Sequence, residues 1–237
     1  MRSVALSERL RAVAGMVTRG NRVCDVGCDH GFVPIWLVQG GISPRVLAMD
    51  LREGPLRAAR EHVETYGLSG QIETRRSNGL HNYNIGEAET LICAGMGGGL
   101  MQRILGEQRE KTDSFRELIL QPQSEIEGFR RFLREGGYGI VDEEMLAEDG
   151  KFYQVIRAVP GRKGDGGIAK DALADRYGPL LLRKKTPVFL SFLEREAAQY
   201  EEILENLRAQ GLHEEKRRSR YEQVEALLRD NERAGRM

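Results

Sequence analysis

The stretch 21–37, which reads NRVCDVGCDHGFVPIWL, constrains the fold more than any other part of the chain. A short apolar run over 22–26 leads into a turn with Gly27 and Gly31, and a helix-like apolar run follows over 32–37. A strand that turns through glycines into a helix presents backbone N–H groups and a helix N-terminus to a ligand. The stretch therefore predicts a ligand site at the end of the first strand.

A carboxylate follows at a spacing typical of nucleotide sites. The second apolar run, 45–50, ends at Asp50. An acidic residue about 20 residues beyond a glycine turn binds ribose hydroxyls in many βαβ nucleotide sites. We therefore expect Asp50 to contact the sugar of a nucleotide-like cofactor.

Composition indicates a folded protein without a membrane or metal signature. The chain has 237 residues, 40% of them hydrophobic and 30% charged, so one α/β domain and a smaller unit can form. The formal net charge is zero, which neither indicates nor excludes a nucleic-acid partner. No secretory signal or membrane-spanning run is found, and we expect a cytoplasmic protein.

The three cysteines do not form a metal or redox motif. Cys24 and Cys28 lack the C-x-x-C spacing, and no second Cys or His pair follows. Cys24 and Cys93 lie in apolar runs and are expected to be buried, reduced side chains. We expect no metal site.

Strands and helices alternate along the first two thirds of the chain. The predicted strands are 22–26, 45–50, 71–76, 89–94, 117–120, 138–147 and 152–159, and the predicted helices are 4–18, 31–40, 54–66, 99–108 and 124–135. Such alternation predicts an α/β fold with a doubly wound parallel sheet. A tight turn over 148–151 makes the last two strands antiparallel, so one edge strand should break the parallel pattern. That ending is typical of methyltransferases that use S-adenosylmethionine and is absent from most NAD dehydrogenases.

The composition changes after Pro160. Residues 161–167 read as a flexible linker, and 170–237 have apolar residues every three or four positions, interrupted at Gly211. We predict a domain over 1–160 and a second domain over 168–237 that forms a helical hairpin or short coiled coil. The second domain contains two dense basic clusters, 183–185 and 216–220, which either bind nucleic acid, form a solvated face or flank a dimer stripe.

The loop 25–31 resembles the first motif of class I methyltransferases, with Asp29 in place of the usual middle glycine. Glycines let the backbone approach the methionine part of the cofactor, Asp25 suits its ammonium group, and Asn78 suits the adenine amino group. The expected cofactor-binding residues are Asp25, Gly27, Cys28, Asp29, Gly31, Asp50, Leu51, Asn78, Gly79, Ala94 and Gly95. The alternative is a strand–helix turn without a ligand.

An NAD site is the less favoured interpretation of the same loop. It needs a third glycine where Pro34 stands. Asp25 and Asp29, with no accompanying cation, would repel a pyrophosphate but suit a sulfonium and an ammonium group.

The loop after the fourth strand, 94–98, has only glycines, Ala94 and Met96. Enzymes that methylate exocyclic amines commonly have an Asn/Asp-Pro-Pro-aromatic turn here, whose side chain accepts a hydrogen bond from the amine. Without such an acceptor, the loop suits a ring nitrogen with a lone pair, or it is simply a glycine-rich turn.

Together these segments resemble the bacterial tRNA (adenine(22)-N1)-methyltransferase family, often called TrmK. The resemblance covers about 1–160 and is found in the segments 6–10, 25–34, 54–56, 94–98, 118–122 and 148–153. Two departures are Gln123, where Asn is expected, and Asp50, where some relatives have Glu. The resemblance implies a class I (Rossmann-like) methyltransferase that moves a methyl group from S-adenosylmethionine to N1 of adenine 22 in the tRNA D-loop region.

The chemistry of this transfer, which leaves a positive charge on the adenine ring, indicates roles for individual residues, with a helix-capping role as the alternative for His30. Asp29 would stabilise the positive charge on the methylated ring, His30 would hydrogen-bond the base, and Met96 would line the reaction site. The expected RNA-contacting residues are Arg9, Pro34, Gln121, Tyr153, Lys184, Lys185, Arg217 and Arg218. Of these, Pro34, Gln121 and Tyr153 would form walls of the base pocket, with core packing as the alternative for Tyr153. Two other functions stay open, which are methylation of another RNA site or a small molecule, and RNA binding without catalysis. We expect a monomer, with a dimer through the helical tail as the alternative.

Overall fold

The computed structural model describes residues 4–161 and 172–237. The chain divides into two compact units, Met1–Gly167 and Ile168–Met237. The domain bounds 1–160 and 168–237 stay a prediction, because the predicted linker lies outside the described residues from residue 162 onward.

The first unit contains seven strands and six helices among its described residues. The strands are β1 Val23–Val26, β2 Val46–Asp50, β3 Ile72–Arg76, β4 Thr90–Met96, β5 Glu117–Pro122, β6 Tyr138–Glu148 and β7 Lys151–Pro160. The helices are α1 Glu8–Gly15, α2 Phe32–Gln39, α3 Glu53–Thr65, α4 Gly98–Glu107, α5 Arg109–Asp113 and α6 Ile126–Glu135. All seven strands were predicted from the sequence, whereas α5 was not.

The strands form one sheet in the order β3-β2-β1-β4-β5-β7-β6. β1 to β5 pair in parallel, and β7 pairs antiparallel with both β5 and β6. This confirms the Rossmann-like methyltransferase fold with an antiparallel final strand. One detail is corrected, because the antiparallel strand β7 lies inside the sheet and β6 forms the edge. The turn over 148–151 folds β7 back between β6 and β5.

The sheet is covered on both faces, as a doubly wound fold requires. Every residue of β1, β2 and β5 is buried. α2 contacts both α1 and α3, and α4 contacts α5 and α6. Because β1 to β5 run in parallel, their carboxyl ends meet at one edge of the sheet, where ligands bind in such folds.

Helix α1 is shorter than the predicted 4–18, because its start is fixed by two caps. The side chain of Ser7 accepts a hydrogen bond from the backbone N–H of Leu10 at 3.4 Å. The carboxylate of Glu148 accepts from the backbone N–H groups of Glu8 at 2.5 Å and Arg9 at 3.3 Å. These bonds satisfy N–H groups that a helix start leaves unpaired, and they fix α1 against the β6–β7 turn.

The opposite edge of the sheet is held by a buried carboxylate. Glu117 accepts hydrogen bonds from Thr18, Asn21 and Thr90 and forms a 2.7 Å ion pair with Arg157. This network joins β4, β5 and β7 at the end away from the strand carboxyl termini, so it supports the sheet without entering the ligand edge.

The second unit is helical in its described part, with α7 Ala172–Tyr177, α8 Pro179–Lys184, α9 Pro187–Ala209 and α10 Glu215–Arg236. The amide of Asn231 donates to the carbonyl of Leu193 at 3.0 Å, and the side chain of Arg208 bonds the hydroxyl of Tyr221, so α9 and α10 are antiparallel. The predicted hairpin with its break at Gly211 is therefore present, and α7 and α8 were not predicted. Regular coiled-coil packing stays a prediction.

No helix in residues 4–161 or 172–237 has both the length and the apolar character needed to cross a membrane. No group of three or more His, Cys, Asp or Glu side chains is arranged to hold a metal ion in that same part. All three cysteines are free and buried, as predicted for Cys24 and Cys93.

Candidate active site

A cavity of about 530 Å³ opens at the carboxyl ends of the parallel strands. Its volume is in the range of small-molecule and cofactor sites. The lining residues are Arg9, Leu10, Asp25, Val26, Gly27, Cys28, Asp29, His30, Phe32, Val33, Asp50, Leu51, Arg52, Ser77, Asn78, Gly79, Ile92, Ala94, Gly95, Met96, Leu100, Arg103, Ile104 and Gln123.

The β1–α2 loop is built from residues in the left-handed backbone region. Gly27, Asp29 and Gly31 have φ values of 79°, 47° and 74°. Asp is among the few non-glycine residues that adopt this region readily, which explains how Asp29 can replace a glycine. Gly31 does not line the cavity. It caps the start of α2, and an added Cβ would lie 3.1 Å from the Cβ of Ala59, so this glycine allows α2 and α3 to approach each other. A direct contact of Gly31 with a cofactor stays a prediction.

Two buried carboxyl groups, those of Asp25 and Asp50, face the cavity from β1 and β2. They are 5% and 6% exposed. Burial, and secondarily the charge of Asp50, raises the pKa of Asp25 to about 7. A buried acid of this kind is stabilised in its ionised form by a cation, so the base of the cavity suits a positively charged ligand group.

The second carboxylate is held by backbone N–H groups. The Asp50 carboxylate accepts from the backbone nitrogen of Asp29 at 3.3 Å and from that of Arg52 at 2.8 Å. These bonds orient the carboxylate and fasten the β1–α2 loop to the end of β2. The arrangement suits acceptance of hydrogen bonds from two ligand hydroxyls at the remaining lone pairs.

The β3 loop supplies the third side of the cavity. The hydroxyl of Ser77 donates to the carbonyl of Gly79 at 2.8 Å and accepts from the backbone of Asn82 at 3.1 Å. This leaves Asn78 exposed in the cavity wall, where its amide can bind a polar ring edge. Leu51, 53% exposed after β2, adds an apolar surface.

Asp29 and His30 lie at the rim rather than at the base. Their side chains are 62% and 51% exposed, with 3.8 Å between the Asp29 carboxylate and His30 Nε2. The ring of His30 stacks on Phe32 at 6.0 Å between centroids, and the backbone carbonyl of His30 accepts from His62 Nδ1 at 2.9 Å. The side chains at this rim are therefore accessible to a second substrate.

Met96 lies over the glycine turn. An added Cβ at Gly27 would come 2.1 Å from Met96 Cε, and the Met96 sulfur is 3.7 Å from the thiol of Cys93. The β4–β5 register shifts between Ala94 and Met96, which leaves Gly95 as an extra, exposed residue with φ 78°. Met96 and Gly95 therefore separate the β1 and β5 sides of the cavity.

Arg9 reaches the cavity from α1 and is held there by two neighbours. Its guanidinium donates to the Gln121 side-chain oxygen at 2.8 Å and lies 5.5 Å from the centre of the Tyr153 ring. The same Gln121 oxygen accepts from the backbone nitrogen of Gly95 at 3.2 Å. Gln121 therefore joins α1, β4 and β5 beneath the cavity.

Three residues expected to form the wall do not line this cavity. Pro34 is buried in the first turns of α2, and Gln121 is fully buried with its amide used by Arg9, Gly95 and Pro122. Tyr153 packs on the core and has the Arg9 guanidinium over its ring. The expectation that these three form the cavity wall is therefore corrected.

Several lining residues were missed by the sequence analysis. The residues that line the cavity without having been assigned to the site are Phe32, Arg52, Leu100, Arg103, Ile104 and Gln123. Arg52 and Arg103 correct the expectation that no cation accompanies the carboxylates, although both are exposed at the mouth. Gln123 directly follows Gln121-Pro122, and its place at the end of a parallel strand is a signal that could have identified it.

In the helical unit, the four predicted RNA-contacting residues differ in their surroundings. Lys184 and Arg218 are exposed. Arg217 instead donates to the carbonyls of Gln210 and Gly211 at 2.8 Å each and so caps α9, while Lys185 donates to the carbonyl of Gly235 at 3.2 Å. Binding of phosphate by Arg217 or Lys185 would have to compete with these contacts.

Comparison with known proteins identifies the family. A family model described as a methyltransferase domain matches residues 6–156. The tRNA (adenine(22)-N(1))-methyltransferase of Bacillus subtilis (strain 168) is 33% identical over 211 residues, which are 87% of this chain and 87% of that protein.

Solved structures extend the similarity over nearly the whole chain. The crystal structure of the B. subtilis M1A22 tRNA methyltransferase TrmK has a TM-score of 0.86 at 30% identity and covers 97% of this chain and 98% of that one. Streptococcus pneumoniae Sp1610, in complex with S-adenosyl-L-methionine, has a TM-score of 0.84 at 32% identity and covers 97% and 99%. The chain described here belongs to the tRNA (adenine(22)-N(1))-methyltransferase family.

Proposed function

We propose that this protein transfers a methyl group from S-adenosylmethionine to N1 of adenine 22 in tRNA. The observation that carries the proposal is the pair of buried carboxyl groups, Asp25 and Asp50, which face a cavity bordered on its other side by the glycine-rich β4 loop. The carboxyl groups at the bottom of the cavity suit a cationic methyl donor, and its open acceptor side suits a flat aromatic acceptor. Membership of the family supports the same activity.

The described residues fit S-adenosylmethionine at the β1, β2 and β3 loops. Asp25 would bind the ammonium group, Asp50 the ribose hydroxyls and Asn78 the adenine amino group. Cys28, Leu51 and Gly79 border the same space, and Gly27 lets the backbone approach it. When bound, this cofactor supplies an electrophilic methyl group on a sulfonium. An NAD-like pyrophosphate would instead meet the carboxyl groups of Asp25 and Asp50 at the base of the cavity.

The acceptor would enter from the side of Met96 and Gly95. N1 of adenine has a lone pair in the ring plane, so no residue has to remove a proton from it, and catalysis is chiefly positioning and charge stabilisation. Asp29, at the rim, would stabilise the positive charge that develops on the ring. His30 is beside it and would hydrogen-bond the base.

RNA binding would use cations at the mouth and in the helical unit. Because N1 lies on the Watson–Crick edge, the base must leave any pair or stack before it reaches the cavity. Arg9 is held in a fixed orientation for contact with a phosphate, and exposed Lys184 and Arg218 would add phosphate contacts. The proposed substrate places the activity in the cytoplasm, and we propose a monomer that needs no metal.

The test is methylation of tRNA transcripts by the full-length protein with S-adenosylmethionine, followed by mass-spectrometric mapping of the modified nucleotide. A transcript with guanine in place of adenine 22 is the matched control. One methyl group at N1 of adenine 22, absent from the control, is expected. A methyl group at another nucleotide would overturn the proposed site, and a protein that binds the cofactor and tRNA without methylation would support the non-catalytic alternative.

A further inference from the structure

The β5–α6 loop brings the polar side chain of Gln123 to the acceptor side of the cavity. Gln123 is exposed and lines the cavity, and its backbone nitrogen donates to the carbonyl of Met96 at 2.8 Å. Within residues 4–161 and 172–237, no group forms a hydrogen bond with its side-chain amide. The backbone of Gln123 is therefore fixed while its amide is available to a ligand.

The packing of the two loops fixes where this amide lies. An added Cβ at Gly98 would come 2.7 Å from the carbonyl oxygen of Ser124, and one at Gly97 would come 3.0 Å from the Ser124 hydroxyl. The glycines that start α4 therefore allow the β5–α6 loop to lie directly on them. A substrate that reaches the β4 loop also reaches Gln123.

The side chains of Gln123 and Arg9 lie on either side of the exposed backbone of Gly95. The Cβ position of Gly95 is 3.9 Å from Gln123 Nε2 and 3.7 Å from an Arg9 guanidinium nitrogen. Since Gly95 has no side chain, this leaves an open slot with an amide on one side and a cation on the other. Arg9 is already bonded to Gln121, so the amide of Gln123 is the group in the slot that can both donate and accept.

Adenine has two edges that an amide can bind, and only one is compatible with the reaction. An amide on the Watson–Crick edge would occupy N1, the atom that must take the methyl group. On the Hoogsteen edge, the amide oxygen accepts from the N6 amino group and the amide nitrogen donates to N7, as Gln does with adenine in DNA complexes. We propose that Gln123 recognises the target adenine by its Hoogsteen edge. The proposal rests on the proposed function.

This contact also contributes to the reaction step. As the N1–carbon bond forms and the sulfur–carbon bond breaks, the electron pair of that bond stays on sulfur and the positive charge passes to the adenine ring. No proton leaves N1. The N6 protons become more acidic as the charge develops, so the hydrogen bond to the Gln123 oxygen strengthens towards the transition state and raises kcat. Guanine has a carbonyl at position 6 and a hydrogen on N1. It therefore offers neither the N6 donor for the Gln123 oxygen nor the N1 lone pair that attacks the methyl group.

The experiment measures single-turnover methylation of tRNA with either adenine or 7-deazaadenine at position 22. The 7-deaza base keeps N1 and N6 and removes the N7 acceptor. The proteins are the wild type, Gln123→Ala, Gln123→Glu and, as a matched control, Gln71→Ala, whose exposed side chain lies outside the cavity. Binding of S-adenosylmethionine to each variant, measured by calorimetry, checks that the fold and cofactor side are intact.

The wild type and Gln71→Ala should lose about tenfold in rate on the 7-deaza base, the size of one lost base-edge hydrogen bond. Gln123→Ala should be about tenfold or more slower on adenine and lose nothing further on 7-deazaadenine. Gln123→Glu accepts from N6 but repels the N7 lone pair, so it should react faster with 7-deazaadenine than with adenine.

An equal loss on the 7-deaza base in the wild type and in Gln123→Ala would overturn the role of Gln123. A wild-type protein that methylates no adenine 22 would instead overturn the proposed function itself, and the inference with it. The two failures are distinguished by the wild-type reaction on ordinary tRNA.

Discussion

The methyl end of Met96 lies against the α-carbon of Gly27, so that a Cβ at Gly27 would come 2.1 Å from Met96 Cε. Two loops that are 69 residues apart in the sequence thereby meet across the cavity. The contact joins the proposed cofactor side to the proposed acceptor side. A substitution at either residue should therefore affect both the cofactor side and the acceptor side of the cavity.

Gly27→Ala tests this contact. The new methyl group would push Met96 into the cavity, and a left-handed alanine adds backbone strain of about 1–3 kcal/mol. We expect the affinity for S-adenosylmethionine, measured by calorimetry, to fall about tenfold or more. Gly20→Ala is the matched control, because Gly20 has φ 93° and open space around it. Equal cofactor affinity in the two variants would show that the Met96 contact is unimportant.

Asp25 should make folding and cofactor binding depend on pH in opposite directions. Burial raises the pKa of Asp25 to about 7, whereas an unfolded Asp has a pKa of about 4. Between these values the folded state binds more protons, so the free energy of unfolding should fall as pH rises, by up to about 1.4 kcal/mol per pH unit. Asp25→Asn should flatten this part of the stability curve in denaturant titrations.

The affinity for the cofactor should change with pH in the opposite direction, because the ammonium group of S-adenosylmethionine favours ionised Asp25. We expect the affinity of the wild type for S-adenosylmethionine to rise from about pH 6 to about pH 7, by up to about tenfold. Asp25→Asn should bind more weakly and show little change over this range. A wild-type affinity that stays constant with pH would contradict the pairing of Asp25 with the ammonium group.

The sequence identified the parts of the site that lie within a continuous segment. Asp25, Gly27 and Asp29 lie at the end of β1, and Asp50 and Asn78 lie at the ends of β2 and β3. Their common position at strand ends is enough to bring them together in a parallel sheet. The doubly wound fold was predictable for the same reason, since alternating periodicity is a local property.

The sequence analysis failed where the position of a side chain depends on packing between distant segments. The register of β7 between β5 and β6, and the use of the Gln121 amide by Arg9 and Gly95, depend on tertiary contacts. The role of Gly31 in the approach of α2 to α3 likewise cannot be inferred from the loop alone. Gln123 is different, because its position directly after a parallel strand could have indicated that it lines the cavity.

Gln121→Leu tests the link between α1 and the β4 loop. Leucine fills a similar volume but removes the oxygen that accepts from Arg9 and Gly95. Arg9 should then lose its orientation, and kcat/KM for tRNA should fall about tenfold, the effect of one or two hydrogen bonds. Cofactor affinity should change by less than about twofold, because Asp25 and Asp50 are untouched. A comparable fall in both kcat/KM for tRNA and cofactor affinity would instead indicate a general packing defect.

Asp29→Asn tests stabilisation of the cationic ring. Asn tolerates the left-handed backbone of Asp29, so the loop should keep its conformation while the charge is lost. Because the carboxylate is 62% exposed, water screens it, and we expect kcat to fall only about three- to tenfold at saturating cofactor and tRNA. Asp149→Asn, also in the left-handed region but outside the cavity, is the control. An unchanged kcat would exclude Asp29 from charge stabilisation.

Charge reversal in the helical unit tests its contact with tRNA. Lys184→Glu and Arg218→Glu change two exposed residues of the basic clusters. If they meet the phosphate backbone, the double variant should bind tRNA about tenfold more weakly, and the slope of log affinity against log salt concentration should decrease by about one to two. Arg229→Glu, an exposed residue of α10 outside those clusters, should leave both quantities nearly unchanged. Filter binding at several salt concentrations measures them, and equal slopes for all proteins would assign the clusters to a solvated face.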